Sequence, residues 1–291
     1  MKMIDNSFVR RINDILIEQD IPIGDRPLET ALIWMEENKI LGQYVDRDSY
    51  EVVEKIYKEI YPYEDFSLAV LKGCVAIQDK IYKVNIPICY GTVQIDILAL
   101  IEIDMNELQN IFQNHPEQGW RAYYAVGDLL DYGFGIDDLR FIKDEGSQLL
   151  EQATNNLIAT GRILLQYENV DVVVQTACIT AELSMKAVLA KFGYDEKSRR
   201  SLGHNLENLA KEIVKMKTMD SDDRFLYECG CFPDYVQNRY SPSGLSRKQL
   251  MNLAMRAQFV AAESVRRITD RNLVKEMESD PCNLERPDFD L

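Results

Sequence analysis

The stretch 181-AELSMKAVLAKFG-193, followed closely by 203-GHNLENL-209, decides the fold. Upstream as far as Val172 the chain is apolar on nearly every helical face, which predicts a helix packed against neighbours on several sides. Gly193 is typical of a helix C-cap. From Leu206 onward, apolar residues recur every three or four positions, as in a one-sided amphipathic helix. The sequence therefore predicts a buried central helix, a basic loop and a second helix packed beside it.

Helical spacing continues on both sides of this pair. Residues 147–168 and 246–271 carry apolar side chains at the period of a helix, and the connections between the helical segments are short. Such segments predict an up-and-down bundle over residues 146–272. Residues 273–291 end in an acidic stretch with prolines, and we expect this C-terminal tail to be loose.

Residues 1–143 predict a different kind of domain. Three amphipathic helical segments end at Pro62, which cannot continue a helix. Three stretches rich in β-branched residues follow at 68–77, 81–88 and 92–101, and short turns separate them. This pattern is typical of a three-stranded antiparallel meander. The expected fold class is an acidic α+β domain of unknown type, followed by an all-α helical bundle.

The net charge of −15 is unevenly distributed along the chain. Residues 1–145 hold 14 Lys and Arg against 27 Asp and Glu, whereas residues 146–291 hold 19 against 21. The first half therefore repels nucleic acid over long range, and only the second half could carry a local basic patch.

Composition also restricts cofactors and location. The six cysteines are scattered and form no Cys-x-x-Cys pair, and the chain has two histidines, so we expect neither a zinc site nor another cofactor. We find no apolar run of about 18 residues and no signal-peptide core at the start, so no membrane association is expected. Reduced thiols in the cytoplasm are the expected state of the cysteines.

Three short motifs of the C-terminal half occur together in one known family. The central helix contains Ala181-Glu182-Leu183, Lys186-Ala187, Leu189 and then Gly193; the next helix opens with His204, Leu206 and Leu209; the last motif is Arg239-Tyr240-Ser241-Pro242. By these motifs residues 146–272 resemble a HEPN domain, an all-α family. Residues 1–140 resemble no family that we recognise.

The resemblance implies a bundle of roughly four or five helices that usually pairs as a two-fold dimer. It also implies one of three roles: a ribonuclease of toxin and defence systems, a non-catalytic binder of RNA or nucleotide, or a partner of nucleotidyltransferases. Ribonuclease members carry an arginine followed about four to six residues later by a histidine. No histidine follows Arg239 here, so the usual catalytic pair is broken.

His204 and Arg239 are the candidate catalytic residues, because ribonuclease chemistry needs a base for the 2′-hydroxyl proton and a cation for the phosphate. For His204 we favour the alternative that its ring caps the following helix. For Arg239 two roles stay open: a phosphate-binding fork beside a stacking Tyr240, or an ion pair beside a core tyrosine. The candidate ligand-binding residues are Arg199, Arg200, Asn238, Tyr240, Arg247 and Lys248.

Two further sets of charges are expected to be structural. Glu182 and Lys186 are four residues apart on the central helix and should form an ion pair. Other basic residues of the bundle, among them Arg256, could extend a basic groove but are more often solvated.

These observations favour a non-catalytic, RNA- or nucleotide-binding or regulatory dimer in a bacterial defence or toxin–antitoxin-like setting. The acidic N-terminal domain would contact a protein partner. The alternative is a metal-independent endoribonuclease that uses a non-standard Arg–His arrangement. The missing histidine after Arg239 favours the binder over the enzyme.

Overall fold

The computed structural model describes residues 4–40, 47–64, 66, 69–89, 93–166, 170–236 and 242–290. The chain divides into two compact units, residues 1–68 and 69–291. This division differs from the predicted boundary at residues 143–146. The reason is that the strands and helices of residues 71–139 share one hydrophobic core with the C-terminal helices.

The first unit is helical, with α1 (Asn6–Glu18), α2 (Arg26–Glu37) and α3 (Arg47–Ile60). The side chain of Asp5 caps α1 by accepting a hydrogen bond from the amide of Phe8 at 2.8 Å. Its core is small and largely aromatic, and it consists of Val9, Ala31, Tyr50, Val53, Tyr57 and Phe66. The acidic α+β domain predicted for residues 1–143 is thus replaced by a short helical unit and by elements that belong to the second unit.

The second unit begins with a two-stranded antiparallel sheet of β1 (Leu71–Ile77) and β2 (Lys80–Ile86). The predicted third strand is not confirmed among the described residues. Of the described residues 93–101, only Ile101 pairs with the sheet, through an isolated bridge to Val84. The strand fails to form because of Asp96, whose Oδ1 accepts hydrogen bonds from the backbone amides of Leu98 at 3.1 Å and Ala99 at 3.3 Å. This local hydrogen bonding starts a 3₁₀ turn where a strand would have continued.

Helices form the rest of the second unit, as predicted for the C-terminal half. They are α4 (Met105–Asn114), α5 (Pro116–Leu139), α6 (Glu145–Leu165), α7 (Val173–Lys191), α8 (Glu196–Ser201), α9 (Leu206–Met216), α10 (Asp222–Gly230), α11 (Arg247–Arg266) and α12 (Leu273–Ser279). Helix α7 packs against α6, α9 and α11, and α5 packs against α4, α11 and α12. The core is continuous through these contacts.

Helix α7 is the buried central helix that the sequence predicts. It is also long and apolar enough to cross a membrane, with a mean hydropathy of 1.3, but 67% of that window is buried inside the protein. Burial on several faces explains its composition, so it is a core helix. The helix ends at Lys191 with Phe192 as its C-cap, and Gly193 follows with a φ of +87°, the left-handed conformation typical of a residue after a helix.

In the sequence, Gly127, Gly133 and Gly135 predict that residues 119–140 are part helix and part loop. Helix α5 instead runs without interruption over 24 residues. Two of these glycines, Gly127 and Gly135, lie where another helix approaches closely. A Cβ added at Gly127 would lie 2.7 Å from Met277 Sδ, and one added at Gly135 would lie 2.2 Å from Val265 Cγ1. The glycines of α5 therefore serve close packing, with α11 and α12 as the neighbours.

Replacing Gly135 with alanine is expected to lower the free energy of unfolding by about 1–3 kcal/mol, because the new methyl group overlaps Val265. Gly230→Ala is the matched control, since its added Cβ meets nothing within 4 Å and its φ is negative. That change should be neutral or stabilising by up to about 1 kcal/mol. Urea unfolding of both variants checks the difference; equal midpoints would contradict the close contact of α5 with α11.

The C-terminal tail is packed, in contrast to the expected loose segment over residues 273–291. Helix α12 forms, and residues 284–290, here named the C-terminal strap, lie against the second unit. Phe289 is 2% exposed and Arg286 is 8% exposed. The hydroxyl of Tyr124 donates to the carbonyl of Leu284 at 2.8 Å, and Arg286 pairs with the buried Asp128. Aromatic and arginine anchors thus overcome the prolines and acidic residues that suggest disorder.

Candidate functional site

The centre of the candidate site is Glu182, which is buried in the middle of α7 at 5% exposure. Its carboxylate accepts from Lys186 Nζ at 2.7 Å and from the Tyr235 hydroxyl at 2.5 Å. The Nδ1 atom of His204 lies 2.9 Å from both carboxylate oxygens. The predicted Glu182–Lys186 pair is confirmed, and the structure adds a histidine and a tyrosine to it.

The partners of Glu182 fix its charge. Burial alone would raise the pKa of this carboxyl group, but the hydrogen bonds from Lys186, Tyr235 and His204 outweigh burial and lower the pKa below its ordinary value. Glu182 is therefore an anion at neutral pH. Because a carboxylate only accepts hydrogen bonds, the His204 nitrogen that faces it carries a proton. The second ring nitrogen, Nε2, is then an acceptor whenever the ring is neutral.

His204 lies in the short loop between α8 and α9, with Gly203 before it at a φ of +70°. Its predicted role as the cap of α9 is wrong, because the side chain of Asn205 caps that helix by accepting the amide of Asn208 at 2.9 Å. The imidazole is instead turned towards α7, and its side chain remains 57% exposed. His204 is thus held on one edge and open to solvent on another.

A cleft of about 340 Å³ opens beside His204. Its described lining comes from the start of α9, the end of α10 and the segment after α10. These residues are His204, Asn205, Leu206, Glu207, Cys229, Gly230, Phe232, Pro233, Asp234, Tyr235 and Val236. Aromatic, amide and carboxylate groups are present, and none of the described lining residues is a lysine or an arginine.

The predicted basic residues have other partners in the structure. The Arg199 side chain is buried and donates to the Tyr194 carbonyl and the Glu145 carboxylate. Arg200 pairs with Glu196 at 2.5 Å on the exposed face of α8. Neither lines the cleft beside His204.

Of the remaining predicted site residues, the structure describes two. Arg247, at the start of α11, donates to the Leu164 carbonyl at 3.1 Å, and Lys248 is exposed beside it. Neither is among the residues that line the cleft. The predictions for Asn238, Arg239 and Tyr240 lie outside the described residues.

Two features of the site were missed by reasoning from the sequence. Glu182 and His204 both belong to the motifs quoted above, yet their spacing of 22 residues does not show that they touch. A family motif that combines a carboxylate on a buried helix with a histidine just before a later helix is a usable signal for such a pair. Tyr235 had no signal of its own, because it lies in an irregular segment after α10.

The comparison with known proteins agrees with this helical arrangement. The family model of the HEPN domain matches residues 147–267. The C-terminal half contains a HEPN domain. The N-terminal half matches no family model. No curated protein and no solved structure matches the chain significantly.

The HEPN match covers the helices that form the site. It begins in α6 and ends after α11, so Glu182, His204 and Tyr235 all lie within it. Within the described part of the chain, no group of three or more His, Cys, Asp or Glu side chains is placed to hold a metal ion. What the site can supply chemically is an oriented imidazole, an adjacent aromatic surface and hydrogen-bonding groups of neutral and acidic side chains.

Proposed function

We propose that the HEPN domain is a non-catalytic binder of RNA or nucleotide and that the cleft beside His204 receives a nucleobase. The observation that carries this proposal is the composition of the cleft. Its volume of about 340 Å³ lies at the lower end of the range for small-molecule sites. Phe232 and Tyr235 offer aromatic surface, and single-stranded RNA is commonly recognised by stacking of its unpaired bases on such rings.

The polar groups of the cleft suit the edge of a base. Glu207 and Asp234 can accept hydrogen bonds from an exocyclic amino group, as carboxylates do with cytosine. Asn205 is already engaged as the cap of α9, so it contributes less. His204 can donate or accept through Nε2 while Glu182 holds its Nδ1 edge. A base with an amino group is therefore the preferred occupant.

The absence of a cation among the described lining residues supports binding without cleavage. Transphosphorylation by a metal-independent ribonuclease requires positive charge where the phosphate becomes more negative. Glu207 and Asp234 would oppose a phosphate in the same position. Arg199 and Arg200, the candidates from the sequence, are paired with carboxylates instead.

A second candidate function is a ribonuclease, and one observation favours it. A carboxylate that holds Nδ1–H of a histidine leaves Nε2 as a general base, which is the arrangement used in hydrolytic triads. Glu182 and His204 have this relation, with 2.9 Å between Nδ1 and the carboxylate oxygens. The enzyme would then need its phosphate-binding cation from elsewhere, for example from Arg239.

The proposal extends to the assembly and the setting of the protein. HEPN domains commonly dimerise, so we infer a homodimer through the helical half. A protein partner for the acidic N-terminal half, a cytoplasmic location and a role in bacterial defence complete the hypothesis. These parts rest on charge, composition and family likeness.

Fluorescence anisotropy with a labelled single-stranded RNA tests the proposed site. His204→Ala should weaken binding by about tenfold, the loss of one good hydrogen bond and its ring contact. His115, the only other histidine of the sequence, is exposed between α4 and α5. The control variant His115→Ala should therefore leave the affinity unchanged.

The same samples distinguish the binder from the ribonuclease. If the RNA stays intact and only His204→Ala loses affinity, the binder is supported. If wild type cleaves the RNA and His204→Ala does not, the ribonuclease replaces it. Equal affinity of wild type and His204→Ala would remove the cleft from consideration.

A further inference from the structure

The C-terminal strap covers a group of arginines that few carboxylates neutralise. Arg224 donates to the carbonyls of Pro287 at 2.7 Å and Arg286 at 3.1 Å, and its nearest described carboxylate partner, Glu228, is 4.0 Å away. Arg121, 3% exposed, donates to the Phe289 carbonyl at 3.1 Å and otherwise to side-chain amides. Two largely buried cations thus depend on backbone oxygens of the strap.

The hydrogen bonding of these two arginines is also incomplete. Within the described residues, the Nε atoms of Arg121 and Arg224 are buried without an acceptor. Burial lowers the pKa of both guanidinium groups, which reflects the cost of keeping the charges away from water. An oxyanion with several acceptor oxygens would satisfy them better than peptide carbonyls do.

Two adjacent residues of the strap, Phe289 and Asp290, place an aromatic ring and a carboxylate among these arginines. Phe289 packs on Phe259 with ring centroids 5.8 Å apart, and the guanidinium groups of Arg224 and Arg256 lie 5.4 and 5.9 Å from its centroid. The next residue, Asp290, pairs with Arg256 Nη2 at 2.8 Å. The Phe289 ring among arginines resembles a stacked base, and the Asp290 carboxylate on Arg256 resembles the phosphate attached to it.

We propose that residues 284–290 occupy a nucleotide-binding site in cis and that a phosphorylated nucleoside displaces them. The base stacks on Phe259 in place of the Phe289 ring. The phosphate takes the position of the Asp290 carboxylate on Arg256, with Arg224 released from the strap carbonyls to join it. The strap is thereby autoinhibitory, and this site is separate from the cleft beside His204.

The anchoring of the strap is compatible with its release. Asp128, which pairs with Arg286, keeps a second partner in Arg266 at 2.7 Å when the strap leaves. Glu228 likewise keeps Arg256 at 2.6 Å. Arg121 and Arg224 lose strap carbonyls and Arg256 loses the Asp290 carboxylate, so lifting the strap creates positive potential at this one place.

The first test uses the full chain and a fluorescent AMP analogue. The double variant Phe289→Ala/Asp290→Asn removes both groups that occupy the site, and we expect it to bind the analogue at least about tenfold more tightly than wild type. Glu285→Gln is the matched control, because it removes one exposed carboxylate of the same strap. Adding Arg256→Gln to the double variant should abolish the gain.

Further arms define the ligand and the site. Unlabelled AMP should compete at least about tenfold better than adenosine or inorganic phosphate alone, because each of these lacks one half of the recognised group. Equal competition by adenosine would overturn the phosphate assignment. The gain must persist in a His204→Ala background; its loss there would assign the binding to the other cleft and overturn the proposal.

Hydrogen exchange of the wild-type protein keeps the proposal testable if the double variant fails to fold. Saturating AMP should speed the exchange of backbone amides in residues 284–290, since the bound nucleotide holds the strap off the protein. Unchanged exchange with AMP at millimolar concentration would overturn the proposal, as would a folded double variant that binds no more tightly than wild type.

Discussion

Replacing Arg266 with leucine is expected to lower the free energy of unfolding by about 3–5 kcal/mol, the range for breaking a buried ion pair. Its guanidinium contacts three carboxylates: Asp128 at 2.7 Å, Asp131 at 2.8 Å and Glu263 at 2.7 Å. All four side chains are at most 4% exposed. Leucine leaves three buried anions next to one another with one cation fewer.

The pKa values in this group show how much its members depend on each other. Burial opposes the charge of Glu263, but Arg266 and Arg267 outweigh it and lower the pKa to about 2. Burial also opposes the charge of Arg266, and the three carboxylates outweigh it and raise its pKa. Asp131 further accepts the amides of Leu273 at 2.7 Å and Val274 at 3.2 Å. The group therefore joins α5, α11 and α12.

Urea unfolding followed by circular dichroism measures the loss. A loss of this size is a large part of a typical total stability of about 5–15 kcal/mol, so the variant is expected to be partly unfolded in water. Arg271→Leu is the control, because its pair with Asp138 is half exposed on both sides. That change should cost less than about 1 kcal/mol. Similar losses in the two variants would contradict the importance of burial.

The buried arginines show where reasoning from the sequence ends. The helical period locates α11 correctly, but it assigns charged residues such as Arg256 to the solvated face. In the structure Arg256 is 5% exposed, because Glu228 and Asp290 come to it from α10 and the C-terminal strap. Pairing across distant segments leaves no periodic trace, so neither the packed strap nor the ion network can be found this way.

Local chemistry explains two other differences. The glycines of α5 indicate interruptions when read one by one, but Gly127 and Gly135 lie where Met277 and Val265 approach too closely for a side chain. The β-branched run after Gly91 predicts a strand, but Asp96 turns it by accepting two nearby amides. Distant residues that contact α5 decide the first case, and a side chain within the segment decides the second.

The candidate site was predictable only where its contacts are local in the sequence. A spacing of four residues on a helix predicts the Glu182–Lys186 pair, and the structure confirms it. The contact of Glu182 with His204 requires the packing of the loop before α9 against α7, which no spacing rule supplies. The motifs identify which residues matter, and the fold shows which of them meet.

Glu182→Ala is expected to be the second most damaging substitution, with a loss of about 3–5 kcal/mol in the free energy of unfolding at neutral pH. The substitution removes the common acceptor of the Lys186 ammonium, the Tyr235 hydroxyl and the His204 ring. The unpaired Lys186 ammonium accounts for most of this loss, because its side chain is only 14% exposed. A buried cation without its partner is less favourable than either the pair or an apolar replacement.

Two comparisons test this account of Glu182. Glu207→Ala removes a carboxylate whose side chain is 48% exposed and paired with Lys211 on the rim of the same cleft, so it should cost less than about 1 kcal/mol. Adding Lys186→Met to Glu182→Ala should recover part of the loss, because it removes the unpaired cation. If Glu182→Ala/Lys186→Met is no more stable than Glu182→Ala, the stranded charge is not the cause.

The pH dependence gives the sign of the effect independently. Because the folded-state pKa of Glu182 is lowered from 4.5, the carboxylate stabilises the folded protein above about pH 4.5 and loses this contribution as the pH falls through the lowered pKa. The difference in unfolding free energy between wild type and Glu182→Ala should therefore be largest at neutral pH and shrink below about pH 4.5. A difference that grows on acidification would mean that Glu182 is protonated in the folded protein, and His204 would then have no anion to hold it.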